Sequence, residues 1–407
     1  MRTAFKCRAY PDPEQAAILA RTFGCVRLVW NKALADRTAA WRERRERTSY
    51  AASDRALTRW KRTDELSFLS EVSSVPLQQA LRHQHAAFAA FFAKRARYPR
   101  FKSRGGRQSA HYTRSAFRLS DGMLCLAKTT APLLFVWSFD EVDITTLNPT
   151  TVIVSREPDG RWYVVFAVET GDPKPESRTG REVGIDLGLA HFATTSDGGH
   201  IANPRHLEQK LVKLKRYQRR MARAQRGSKN HKKAQTKVAK VHREVRDARS
   251  DFLHKTSSRL VADHDLIVVE DLNVAGMVRN RSVARSISDA SWGEFRRQLE
   301  YKCARAGRCL VAIDRWYPSS KICNECGYQR AALSLSVRTW RCPACRSRHD
   351  RDVNAAKNIL AAGRAVARSD PGDACGAEVR RQGPSLPRSA WKQEVSQPVR
   401  SRAAAQL

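Results

Sequence analysis

Two Cys-x-x-Cys pairs, Cys323/Cys326 and Cys342/Cys345, constrain this chain more tightly than any other feature of its 407 residues. A two-residue gap lets both thiolates of one knuckle face a single ion. The 15 residues between the pairs are enough to bring the second knuckle round and close a tetrahedron. The stretch must therefore fold as a small metal-stapled unit, with Gly327 and Pro343 supplying tight turns. Four thiolates leave no open coordination position, so a zinc ion held this way is structural. A reactive dithiol, or two chance pairs, is the alternative. His349 lies close enough in sequence to replace a thiolate, but the set is complete without it. The other six cysteines, Cys7, Cys25, Cys125, Cys303, Cys309 and Cys375, are isolated and suit small apolar packing.

Charge narrows the partners. Seventy-five Lys plus Arg against forty Asp plus Glu give a net charge of +35, a field that attracts a polyanion. Membrane-surface binding is the rival use of a basic chain, and it calls for an amphipathic anchor or a long apolar run, neither of which is visible. The opening MRTAFKCRAYPDPEQ has no apolar signal core, so the expected location is the cytoplasm, in association with the nucleoid. Ten cysteines in a cytosolic chain point to metal binding or core packing rather than disulfides.

Along the chain the texture changes twice. Thr3 to Tyr10 suits a strand, and Asp12-Pro13-Glu14-Gln15 starts a helix with an N-cap, a proline at its first position and a capping box. Helical spacing continues through Leu19, Phe23, Val26 and Trp30, and resumes after Pro76 with Leu77, Leu81, Phe88 and Phe91. From Tyr98 to about Thr170 the pattern is β: Met123 to Ala127, Leu133 to Phe139, then Val152 to Ser155 and Trp162 to Val168 around the turn Glu157-Pro158-Asp159-Gly160. With the first strand, this predicts a small β-barrel over 1–12 and 98–175 carrying a helical, helix-turn-helix-like insertion over 13–97. Gly171 to Ser177 is a linker candidate. From Arg181 the order is α/β, with buried strands at Val183 to Leu187, Leu266 to Val269 and Cys309 to Ile313 and a hairpin around Ser196-Asp197-Gly198-Gly199. A very basic helical stretch, Arg205 to Arg249, breaks near Gly227-Ser228, and a last helix begins near Asp352. The segment 364–407, rich in Pro, Gly, Ser and Arg, has the composition of a disordered basic tail. The fold class expected is multidomain, α+β followed by α/β.

Three acidic residues sit where apolar context makes a charge costly. Asp186 interrupts VGIDLG, Glu270 ends the continuous strand LIVVE, and Asp352 opens a helix directly after the cysteine pairs. An unpaired carboxylate at the end of a buried strand needs a metal or a cation to offset desolvation. Singly, Asp186 could be a turn residue, Glu270 an arginine's partner and Asp352 an N-cap. Together they fit a site for phosphodiester chemistry, which uses divalent metals about 3.5–4 Å apart held by carboxylates. Asp271 should point to the opposite face from Glu270, and Asp350 should lie elsewhere around the helix start, so both rank lower.

The runs VGIDLGLAHFATTSDG, IVVEDLN, SWGEFRRQLEYKCARAGR, WYPSSKICNECG, WRCPAC and HDRDVNAAKNIL resemble the TnpB proteins of bacterial insertion sequences, which are also described as OrfB-type transposases and are similar to type V CRISPR effectors. YPDPEQAAILARTFGCVRLVWNKAL and the SSVPLQQAL to YPRFKSR stretch extend the likeness to nearly the whole chain except the tail. The resemblance implies an RNase-H-like (RuvC) nuclease domain over 181–363 with an inserted zinc ribbon at 318–348, preceded by a β-barrel wedge domain with a helical recognition insertion. It puts Asp186, Glu270 and Asp352 on the three RuvC carboxylates as catalytic magnesium ligands, with manganese as a substitute, and Cys323, Cys326, Cys342 and Cys345 on the zinc ligands. It also implies a guide RNA from the transposon end and a target double-stranded DNA carrying a short adjacent motif.

Arg205 to Arg249 contains only Glu208, Glu244 and Asp247 as acids. Like charges at helical spacing repel, so beside the plain reading of a solvated hairpin stands one in which Lys213, Arg216, Arg219, Arg220 and Arg223 meet RNA phosphates. Arg100, Lys102, Arg104 and Arg107, with Phe101 among them, form a second basic loop, and Gln78 and Gln79 are candidates for reading the adjacent motif. Two other functions stay open: a transposase using the same carboxylates for strand transfer, and a zinc-ribbon regulator that binds nucleic acid without cutting it.

Overall fold

The computed structural model describes residues 2–140, 142–171, 175–334 and 336–369. Residues 172–174 of the expected linker, and the expected tail from 370 onward, lie outside the described residues. The chain divides into two compact units, Met1–Pro173 with His206–Ala248, and Lys174–Arg205 with Arg249–Leu407.

The first unit contains β1 (Arg2–Tyr10), α1 (Pro13–Arg44), α2 (Tyr50–Trp60), α3 (Ser74–Phe92), β2 (Gln108–Thr113), β3 (Phe117–Ser120), β4 (Met123–Leu126), β5 (Leu134–Val136), β6 (Pro149–Arg156) and β7 (Trp162–Glu169), then α4 (His206–Arg223) and the start of α5 (Lys229–Asp263). Asp12 and Gln15 form the expected capping box at the head of α1. The expected barrel is corrected by the strand pairing. Among the described residues β2, β6, β7, β1 and β5 form an open antiparallel sheet in that order, and β3–β4 is a separate hairpin. Closure would need β5 to pair with β2, but β5 contributes only Leu134, Phe135 and Val136, all spent on the end of β1. The opposite edge, β2, pairs with β6 and lies against α1 and α3. The sheet buries Val152, Val154, Val164 and Phe166 with Leu19 and Phe23 of α1, and the helices have their own core of Val29, Leu57, Leu77 and Leu81.

The second unit takes the end of α5 and adds β8 (Glu182–Leu187), β9 (His191–Thr195), β10 (His200–Ala202), β11 (Leu266–Glu270), α6 (Val274–Met277), α7 (Ala284–Ala290), α8 (Trp292–Ala306), β12 (Cys309–Ile313), β13 (Thr339–Arg341), β14 (Arg348–Asp350) and α9 (Arg351–Ser369). The sheet order is β10-β9-β8-β11-β12, antiparallel through β8 and parallel from β8 to β12. One face packs Val183, Ile185, Ile267 and Val269 against Leu253 and Leu260 of α5 and Phe295 and Leu299 of α8. The other packs Leu266, Val268, Val311 and Ile313 against Ile359 and Leu360 of α9. Continuous apolar runs are what a parallel strand covered on both faces requires.

Two glycines set the close approach of α9. A Cβ on Gly184 would stand 2.2 Å from the Ala356 carbonyl oxygen, and one on Gly363 would stand 2.3 Å from a Val268 methyl. The helix therefore lies almost on the backbone of β8 and β11, which brings its first turn to the ends of those strands.

Candidate metal centre and zinc ribbon

Period-2 alternation decides which carboxylates meet. In β8, Val183 and Ile185 face α5 and α8, so Gly184 and Asp186 face α9. In β11, Ile267 and Val269 face α8, so Leu266, Val268 and Glu270 face α9. The last registered pair between the strands is Ile185 with Val269, which sets Asp186 beside Glu270 at the carboxyl ends of two adjacent parallel strands. Asp352 lies one helical turn before Ala356, whose carbonyl touches Gly184, so it approaches the same place from above. Ligand sites in open α/β sheets form outside the carboxyl ends of the strands, and the three acids gather at that place.

The electrostatics follow from the crowding. Burial, then the neighbouring Glu270 and Asp352 carboxylates, push the Asp186 carboxyl up to about 7, with Arg351 offsetting only part. Burial also raises Glu270, opposed by the Ser319 hydroxyl, which donates to its Oε1 at 2.6 Å. Among the described residues, no lysine or arginine forms an ion pair with Asp186 or Glu270, and no hydrogen bond reaches the Asp186 carboxylate. Arg338 Nη1 lies 3.4 Å from Asp352 Oδ2.

The two lower-ranked acids have other partners. Asp271 points to the α8 face, where Arg296 Nη1 donates to it at 2.5 Å and Arg315 joins from the loop after β12. Burial would raise its carboxyl, but these two guanidiniums outweigh it and hold Asp271 below the usual range. Asp350 is the N-cap of α9: its Oδ1 accepts the backbone N–H of Asp352 at 3.0 Å and of Val353 at 2.9 Å. The cap role open to Asp352 in the sequence thus belongs to Asp350.

The ribbon lies next in sequence to this centre. Cys323, Cys326, Cys342 and Cys345 bring their sulfurs within 4.8 Å of one another, a set that can close around one ion. Each knuckle ends in a left-handed residue whose N–H returns to the first cysteine's carbonyl: Gly327 (φ +75) to Cys323, and Arg346 (φ 63) to Cys342, both at 2.9 Å. Pro343 lies within the turn of the second knuckle, as the sequence suggested, and Arg346 adds the left-handed residue that closes it. His349 Nε2 sits 3.1 Å from Cys323 Sγ, and its ring packs on Trp340 with centroids 4.7 Å apart.

Sequence reasoning missed the connectors. Asn354 and Asn358, four residues apart on α9, donate to the Ile322 carbonyl at 2.7 Å each, and Asn358 also reaches the Ser319 carbonyl at 2.8 Å. Asn354 Oδ1 accepts the Asn324 N–H at 3.0 Å. One helix face thus holds both the first cysteine knuckle and the serine that contacts Glu270. Buried asparagines at i,i+4 in an apolar helix were the available signal.

In the first unit, only part of the basic stretch is free of acids. Lys213 pairs with Glu244 at 3.3 Å, and Arg216 leans on the Tyr217 ring. Arg243 and Arg246 neutralise Asp159 and Glu157 of the β6–β7 turn at 2.5 and 3.2 Å. Arg219, Arg220 and Arg223 are exposed. Arg100 and Arg104 are exposed too, whereas Lys102 sets its ammonium 4.1 Å from the Trp30 ring centroid. Gln78 and Gln79 are half-buried on α3.

A family described as "Probable transposase" matches residues 165–281, a Cas12f1-like TNB domain matches 292–359 and a helix-turn-helix domain matches 1–46. The chain is 53% identical to a "Putative RNA-guided DNA endonuclease" of Streptomyces pristinaespiralis, covering 97% of this chain and 96% of that protein. It is 32% identical to InsQ of Escherichia coli K12, which carries the same description, over 89% of this chain and 92% of the relative. Among solved structures, a chain from the cryo-EM structure of a Cas12f1–sgRNA–target DNA complex shares the fold, with TM-score 0.54 at 14% identity over 86% of this chain and 83% of that one. No helix among the described residues is long and apolar enough to cross a membrane.

Proposed function

Because the chain belongs to the TnpB family of RNA-guided DNA endonucleases, we propose that it uses a guide RNA to select double-stranded DNA and cuts it at Asp186, Glu270 and Asp352. The observation that carries this reading is the gathering of Asp186, Glu270 and Asp352 at the carboxyl ends of β8 and β11, which with burial raises the Asp186 carboxyl to about 7 while Arg351 offsets only part. A protein keeps so costly a group where a cation will neutralise it. Three oxygen donors suit magnesium, which takes few protein ligands and keeps several waters. When bound, such a metal pair activates water and stabilises the leaving oxygen of the phosphodiester.

The chain's own residues prepare that site. Ser319 fixes one oxygen of Glu270, Asp350 satisfies the first N–H groups of α9 so that the Asp352 carboxylate is left to the site, and the glycine approach holds α9 down on β8. The four cysteines would hold zinc in a structural role, stapling the ribbon that Asn354 and Asn358 tie to the Ser319 loop. Arg100, Arg104, Arg219, Arg220 and Arg223 would contact guide-RNA or heteroduplex phosphates. Base pairing then supplies sequence selection, as in other RNA-guided enzymes. The open sheet and its three-helix insertion would act as wedge and recognition regions, with Gln78 and Gln79 beside the adjacent motif.

A strand-transfer reading has one observation in its favour, the transposase description of the family matched at 165–281. A single experiment separates the two. The protein is purified from its host, co-purifying RNA is sequenced, and matched and mismatched DNA duplexes are offered with magnesium. Cutting of the matched duplex alone, lost in Asp186→Asn, supports the nuclease. Absence of a discrete RNA, or joining of transposon ends without RNA, overturns it.

A further inference from the structure

Trp316 is 82% exposed, the most exposed large apolar side chain in the second unit among the described residues. Leaving an indole in water forgoes the largest hydrophobic gain a side chain offers, so a rigidly displayed one marks a surface with an apolar or aromatic occupant. Its loop is held at every step. The Trp316 N–H donates to Asp314 Oδ1 at 2.7 Å and the Tyr317 N–H to the Asp314 carbonyl at 3.1 Å. Arg315 is bound to Asp271, Tyr317 packs into the core under α9, and Ser319 contacts Glu270 while Asn358 holds its carbonyl. Among the described residues, Trp316 is thus the one large apolar side chain of this turn left exposed.

Its position is bounded by the chain. Ser319 is three chain steps from Trp316, so their Cα atoms lie within about 11 Å of each other. Its other neighbour, Arg315, is bonded to the residue that follows Glu270. At about 3.4 Å of rise per stacked nucleotide, that backbone span is roughly three nucleotides long, which sets the scale on which a base at the indole would stand from a phosphate at the carboxylates. Around the acids the nearby side chains are basic, Arg338 and Arg351 among them, which suits a backbone passing over the site. An aromatic face beside a cationic groove is how proteins hold single-stranded nucleic acid without reading its sequence.

We propose that Trp316 is a positioning residue: its indole stacks on a nucleobase of the DNA strand within about three nucleotides of the scissile phosphate and holds the unpaired strand in line with the carboxylates. The proposal rests on the nuclease reading. It adds a residue that touches neither metal nor phosphate and acts on a base.

The test uses the full protein with its guide RNA. Single-turnover cleavage of matched DNA should fall about tenfold in Trp316→Ala and return to within about threefold in Trp316→Phe, while guide-RNA binding and thermal stability are unchanged. A second readout does not depend on cutting. 2-Aminopurine is placed at each of the three positions either side of the cut and bound in the uncleaving Asp186→Asn background. One position should be quenched with Trp316 or Phe and bright with Ala. Equal cleavage rates together with identical 2-aminopurine signals in all three proteins overturn the inference alone, provided the unmutated protein cuts. Failure of the unmutated protein to cut overturns the nuclease reading and this inference with it. A change of sedimentation on Trp316→Ala, with cleavage and fluorescence unmoved, would assign the indole to a contact between copies of the chain instead.

Discussion

Asp350 accepts the backbone N–H groups of Asp352 and Val353, and that contact decides what each of two neighbouring carboxylates is free to do. Asp350→Ala should cost about 1 kcal/mol, the usual loss for an N-cap, and slow cleavage less than about tenfold, with Asp350→Ser restoring both. Asp352→Ala should leave the melting temperature nearly unchanged and reduce cleavage by about 10³-fold or more, the order expected when a preorganised charge is lost from a reacting centre. Equal effects of the two substitutions on cleavage would contradict this division of roles. Asp186 makes a prediction about pH. Its carboxyl is raised to about 7 in the folded, metal-free protein, chiefly by burial and then by Glu270 and Asp352. The folded state therefore favours the neutral acid, and that contribution to stability is complete below the ordinary carboxylate range and lost as pH rises through about 7. In magnesium-free buffer the unmutated protein should accordingly lose roughly 2 kcal/mol relative to Asp186→Asn between pH 4 and 8, allowing for partial water access to the side chain. Magnesium should restore the unmutated protein at pH 8 and leave the Asn variant unmoved, as thermal melts across that range would record.

The helix α9 organises the centre because nothing but backbone separates it from the sheet. Gly184→Ala places a Cβ 2.2 Å from the Ala356 carbonyl, a contact that only a shift of α9 can relieve. Overpacking of this kind costs about 1–3 kcal/mol, and because the shift carries Asp352 with it, cleavage should fall further than stability alone would explain. Denaturant midpoints and single-turnover rates, measured on the same variant, check both parts. The ribbon acts at the same scale. Cys342→Ser should release zinc and loosen the Ser319 loop through Asn354 and Asn358, cutting activity at least about tenfold while the far-ultraviolet spectrum of the sheet unit persists. What the sequence made legible follows from the same physics. Strands β8, β11 and β12 were visible because strands buried on both faces must be continuously apolar, and an acid in such a run stands out. Strand β2, with the polar residues QSAHYT, and the short helix α2 carry no such pattern and take their form from tertiary packing. Barrel closure was misjudged for a related reason: alternation reveals that strands exist but not whether edge strands β2 and β5 meet. Ser319 was invisible because a single buried hydrogen bond has no periodic signature, and the i,i+4 spacing of Asn354 and Asn358 marks a polar spot on α9 without naming the carbonyls it would meet.

At the scale of the whole molecule the dominant fact is a charge of +35, and the structure divides its effect unevenly. Arg243 and Arg246 of α5 are committed to Asp159 and Glu157, and Lys213 to Glu244, so these cations stabilise the first unit and have less to offer a phosphate. Arg219, Arg220 and Arg223 lie on the exposed end of α4. The two groups should separate experimentally. Each cation that neutralises a phosphate releases counterions and contributes about 0.7–0.9 to the slope of log affinity against log salt. Replacing Arg219, Arg220 and Arg223 together by Gln should therefore lower the slope for guide-RNA binding by about 2–3, with little change in thermal stability. Replacing Arg243 and Arg246 by Gln should do the reverse, leaving the slope nearly intact while destabilising the first unit, because each removal takes the nearer cation from a buried acid and leaves only Arg161 at 3.7 Å from Asp159 and Arg107 at 4.0 Å from Glu157. Discrimination between matched and mismatched DNA should survive the α4 substitutions, since these contacts follow the backbone and pairing reads the bases. An unchanged slope in the triple variant would mean that the exposed arginines of α4 face solvent rather than RNA, and that the polyanion is held elsewhere on the chain.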